Sequence, residues 1–223
     1  MTDAGATGKG AATAGQRLRQ DDGRLVRGRK SRERIQQAAR ELFREHGFDG
    51  ATLRAIAERA GMGASSIYRH VRTKEELLVY ELTVLQDRAW KYFRQRDDRK
   101  RPTLERVAHF LEIQHRLLAN DRDFTSIALR GLTRPDARVA GQVLQLQDQT
   151  IGLLAEILQI GRMKKDLARD LDVLEAARTL FHITQGARLP WLNGVMSDEE
   201  CLLAIQRDVS LLFRGIGAEP RSG

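Results

Sequence analysis

Cysteine is all but missing from this chain: Cys201 is the only one in 223 residues. A single thiol excludes an intrachain disulfide framework and a cysteine-built zinc site, and it fits a reducing compartment. Long apolar runs are missing too. None approaches the roughly 18 to 20 residues that cross a bilayer, and the opening stretch lacks the apolar segment of a secretory signal. A cytoplasmic protein with no membrane partner is expected. Catalytic signatures are also absent: there is no nucleophile elbow, and Gly8-Lys9-Gly10 has neither the spacing nor the following hydroxyl of a phosphate loop. His109, Glu112 and His115 share a helical segment, but their two histidines land about 120° apart around its axis. No enzyme, metal or bound cofactor is expected.

What is present points to helices. Hydrophobic residues make up 41% of the chain and aromatic ones only 5%. Ala, Leu, Arg, Glu and Gln, which all favour helix, recur throughout. The net charge of +8 is concentrated in one region. Met1 to Lys74 carries 16 Lys or Arg against 8 Asp or Glu, whereas Glu75 to Gly223 carries 22 of each. A neutral body with a basic head implies a polyanionic partner, because Lys and Arg gain affinity by releasing counterions from phosphates. A membrane surface would satisfy the same charge.

The fold class expected is all-α, with about nine helices. Residues 1–28 lack helical periodicity and read as a disordered basic arm, which either follows DNA phosphates or serves only as a solubilising tail. From Ser31, the residues Ile35, Ala38, Ala39, Leu42 and Phe43 recur at steps of three and four, and Gly47 ends the run. A second helix starts at the capping hydroxyl Thr52 and stops at Gly61, and a short segment covers Gly63 to His70. Thr73 and Glu76 form a capping box for a long fourth helix. Later helices are expected over about 103–119, 122–131, 135–160, 172–192 and 198–214. This divides the chain into the arm, a three-helix head over 29–73, a helical body over 74–215 and a disordered tail over 216–223.

Ala57, Gly61 and Ile67 carry the functional argument. A helix-turn-helix needs a small residue where two helices nearly touch, a left-handed turn residue, and an apolar anchor on the second helix. These three meet those demands at offsets of four and ten residues. The run from Thr52 to Gly61, then Ser66-Ile67-Tyr68-Arg69-His70-Val71, then Lys74 before a leucine-bearing helix, resembles the TetR family of bacterial repressors. The resemblance is specific from about Arg29 to Leu78. It implies that Thr52 caps a helix near a phosphate and that Arg54 reaches a base edge. It implies also that Ser65, Ser66, Tyr68, His70 and Lys74 hold phosphates or the groove edge. Gly63 and Ala64 depart from the more polar residues usual there; Arg69 either compensates or clamps a phosphate.

One short recognition helix reads few base pairs, so a homodimer placing two of them about one DNA turn apart on a palindromic operator is expected. The family pairs its last two helices for this purpose, which implies an interface at Leu174, Phe181, Arg188, Trp191, Leu202, Ile205, Val209 and Leu212. Cys201 then reads as packing, with a redox sensor as the alternative. The middle helices would enclose a small-molecule effector. Trp90, Phe110 and Phe124 supply apolar surface, and Gln114, His115, Gln149 and His182 supply polar groups. Effector binding would shift the fourth helix and with it the attached head, releasing the operator. The rival reading is a basic head that binds an acidic protein or a lipid. Activation rather than repression stays open, because it depends on where the operator lies.

Overall fold

A computed structural model describes residues 11–216, with side chains from Gly28 to Gly215. Residues 1–10 of the expected arm, and all of the expected tail except Ile216, lie outside these. The described residues form nine α-helices, with no strand beyond an isolated bridge residue at Leu167. The chain divides into two compact units, Met1–Arg72 and Thr73–Gly223.

The first unit, the head, holds α1 (Ala11–Gly50), α2 (Leu53–Arg59) and α3 (Ala64–Ile67). Helix α1 is broken at Gly47, whose φ of 69° and ψ of 174° turn the chain where the sequence places a helix end. Its start differs from expectation. Residues 11–28, expected as an irregular arm, continue the helix. Extending a helix already nucleated downstream adds one hydrogen bond per residue fixed, so it needs no buried stripe to mark it in sequence. The head core is Ile35, Ala39, Leu42 and Phe43 from α1, joined by Ile56, Ala57, Ile67 and Val71. At the surface, Arg59 on α2 reaches both Glu45 oxygens at 2.8 Å and Glu41 at 3.3 Å, tying α2 to α1.

The second unit, the body, holds α4 (Lys74–Arg96), α5 (Thr103–Ala119), α6 (Arg122–Gly131), α7 (Ala137–Met163), α8 (Val173–Leu192) and α9 (Asp198–Ile216). Helix α5 runs through the middle, against α4, α7 and α9, and α8 packs on both α7 and α9. Trp90, Phe93 and Phe110 form an aromatic cluster between α4 and α5, with ring centroids 5.3 to 5.7 Å apart. Below it, the buried Arg106 donates to both carboxylate oxygens of Asp97 at 2.8 and 2.7 Å, clamping the end of α4 to α5. At the other end of that loop α7 passes very close to the start of α5. A Cβ on Gly161 would overlap the Thr103 hydroxyl and lie 2.9 Å from Thr103 Cβ. Only glycine allows that approach.

Candidate nucleic-acid interface and body cavity

In the head, Thr52 accepts a hydrogen bond from Ala55 N at 3.1 Å and so starts α2. Arg54, in the first turn, projects into solvent. The turn after α2 closes by two backbone bonds: Gly61 N donates to Glu58 O at 3.0 Å and Met62 N to Ala57 O at 2.9 Å. Gly61 adopts φ +63°, the left-handed conformation this closure requires. The chain then enters α3 at Gly63, which offers no side-chain cap. Beyond Ile67 the helical path persists for one turn, with His70 N and Val71 N both donating to Ile67 O. Ile67 is fully buried, while the adjacent Tyr68 is 57% exposed. A large aromatic in water beside a buried anchor has no packing role to explain it. Ser65 and Arg69 are exposed with it, and Arg69 donates to Ser66 Oγ at 3.2 Å. His70 is half-buried. Hydroxyl, phenol and guanidinium groups on one short helix and its exit turn are the donors that bind phosphates and base edges.

In the body, a cavity of about 520 Å³ lies between α4, α5, α6, α7 and α8. Leu and Val make up half of its lining, joined by Phe181; Leu82 and Leu85 come from α4, and Val143 and Leu146 from α7. Its rim, at Thr133, Gln147, His182 and Leu189, is exposed, whereas its inner end, at Gln86, Gln114 and Arg188, is buried. These three form a chain: Arg188 Nη2 donates to Gln114 Oε1 at 2.7 Å, and Gln114 Nε2 donates to Gln86 Oε1. The size and lining suit a small organic ligand.

Residues 35–80 match the family model described as bacterial regulatory proteins, tetR family. Over those residues the head is similar to that of the TetR family. Among curated relatives it is 27% identical over 210 residues to the transcriptional repressor KstR of Rhodococcus jostii, covering 92% of this chain and 93% of that one. It is 24% identical over 156 residues to the transcriptional regulator UidR of Escherichia coli K12, covering 70% and 79%. Among solved structures, FadR of Thermus thermophilus, a TetR-family repressor in complex with lauroyl-CoA, superposes with a TM-score of 0.67 at 24% identity over 86% of this chain and 98% of that one. That last likeness is one of fold.

The expected DNA-contacting residues of the head fall on α2, α3 and the turn after α3. Lys74 belongs to the second unit, where it opens α4 behind the Thr73 cap and is partly exposed. The expected effector residues scatter. Gln114 and His182 line the cavity. Trp90 and Phe110 lie in the aromatic cluster, and Phe124 is core. Gln149 is exposed on α7, one position short of the cavity-lining Thr150; a single residue turns a helix about 100°, enough to leave the wall. His115 is buried with its Nε2 3.1 Å from Asp198 O and its ring edge-on to Trp191. Burial, together with the nearby Arg188 charge, holds this imidazole below its ordinary pKa.

The expected dimer residues divide as well. Phe181, Arg188, Trp191, Ile205 and Val209 turn inward and are buried within one protomer, Leu202 and Leu212 are half-buried, and Leu174 is exposed. The stripes that face outward are Leu174, Arg178, His182, Gly186 and Leu189 on α8, and Leu203, Arg207 and Leu211 on α9. The most apolar stripe of each helix marks its own core, which is why the sequence pattern selected it. Cys201 is fully buried, and burial pushes its thiol up, which fits a packing residue. Arg188 and Gln86 were not expected in the cavity; the available signal was a lone arginine on an otherwise apolar helical face.

Proposed function

We propose that this protein is a repressor that binds a palindromic operator as a homodimer and is released when a small molecule fills the cavity of its body. The observation that carries DNA binding is Tyr68, exposed beside the buried Ile67 on a head whose charge is strongly basic. Thr52, Arg54, Ser65, Ser66, Arg69, His70 and Lys74 supply further contacts. Ligand responsiveness is supported by the cavity and by the lauroyl-CoA held by the T. thermophilus repressor. Helix α4 lines that cavity through Leu82, Leu85 and Gln86, and it begins about 12 Å away along its axis, at Lys74, directly after the head in sequence. A ligand that alters α4 thereby acts on the segment joined to the head, provided it binds the two states with different affinity. The protein acts on cytoplasmic DNA and needs no cofactor.

The test is selection of a binding site from random duplexes, followed by binding measured across salt concentrations. Sequence preference with affinity falling linearly in log salt is expected. Arg54→Ala should lose about 1–3 kcal/mol at one operator position, and Tyr68→Ala should weaken binding while the body stays folded. Binding by both variants at wild-type strength would remove the interface assignment, and equal binding to acidic protein or lipid would favour an interaction module instead.

A further inference from the structure

The polar end of the cavity carries a charge that the protein leaves unanswered. Arg188 is 4% exposed, and among the described residues no carboxylate forms an ion pair with it. Its single hydrogen-bond acceptor is the neutral Gln114, and its Nε has no partner. Gln86 Nε2, two links further along the same chain, is also unpartnered. Burial lowers the Arg188 pKa to about 10, and the only group that opposes the shift is Cys201, whose own thiol burial keeps protonated. At neutral pH the guanidinium is therefore charged, buried and without a counter-ion. Elsewhere in the body the same situation is resolved internally: buried Arg106 has Asp97. Buried charges persist in proteins when they are paired, so a buried arginine lining an apolar cavity implies that the pair is completed by what enters.

We propose that the effector is an amphipathic carboxylic acid, seated with its carboxylate on Arg188 and Gln86 and its apolar body against Leu82, Leu85, Val143 and Phe181. A carboxylate has the two acceptor oxygens that a guanidinium fork and an amide N–H can share. The leucine-rich walls then select an aliphatic or aromatic body rather than a sugar or a nucleotide. The inference rests on the reading of this cavity as the effector site.

The experiment uses the full-length protein and matched pairs of neutral amide and free acid: straight-chain acids of eight to sixteen carbons and phenylalkanoic acids, each against its primary amide. Lauroyl-CoA is included as a thioester without a free acyl carboxylate. Binding is read by calorimetry and by release of the selected operator. At least one acid should bind tenfold or more tightly than its amide, and Arg188→Met should abolish that preference while still binding the amide. Amides or lauroyl-CoA binding as well as the acids would overturn the carboxylate inference and leave the cavity as effector site. Failure of both series to bind would overturn the effector cavity itself, and the inference with it. Because the acid and amide are compared first on the unaltered protein, the outcome does not depend on the variant folding.

Discussion

His115 shows how one side chain sets a pH limit. Its Nε2–H donates to the Asp198 carbonyl, leaving Nδ1 3.9 Å from the Cys201 sulfur, and burial and the Arg188 charge outweigh the help the Asp198 carboxylate gives to a second proton. The folded-state pKa is depressed, so between it and the unfolded value near ~6.5 the unfolded chain binds more protons. Stability from this residue is complete above that value and is lost as the pH falls below it. Denaturant titrations at pH 7.5 and 5.5 should show the body weakening in acid, and His115→Gln should lessen the difference. At this scale the sequence is least legible. Gln149 and Thr150 differ by one position, and which of them meets the cavity depends on helix rotation that a quarter-turn error reverses. Arg188 stood in plain view as a charge within an apolar stripe, yet only the folded body shows that it meets Gln114 of α5 at the end of the cavity.

Helices were more legible, because their ends are written in local chemistry. The expected limits of α5 and α6 match the observed ones, with Pro102 and Asp121 as their N-caps. Thr52 and Thr73 both accept the capping bonds their positions promise. The early start of α1 was hidden because nothing in residues 11–28 repeats towards a core. The turn between α2 and α3 concentrates the most consequence in one residue. Replacing Gly61 with Ala forces a Cβ into the left-handed conformation and should cost about 1–2 kcal/mol. Thermal unfolding should show that loss in the head, and operator affinity should fall with it, because the turn fixes where Tyr68 points.

For the molecule as a whole, the division into two units was legible from charge, since the basic excess lies before Glu75 and the units part between Arg72 and Thr73. Assembly was not, because a stripe facing the protomer's own core and one facing a partner have the same period. The outward face of α8 and α9 supplies Leu203 and Leu211, each 64% exposed, and Gly186, which adds no side chain to hold another helix away. Leu203→Glu with Leu211→Glu should convert a dimer into monomers in sedimentation at micromolar concentration, with operator binding lost and helix content kept. A dimer that survives both changes would place the interface elsewhere. The contact between Gly161 and Thr103 has a further effect on the body. It fixes the last turns of α7 against α5, while the residues of α7 that line the cavity, Val143 to Thr150, lie about three to five turns nearer its N-terminus. Helix α7 is thus anchored by Gly161 at one end and forms a cavity wall along the other half, so the spacing held at a single glycine bears on how wide a molecule the body can admit.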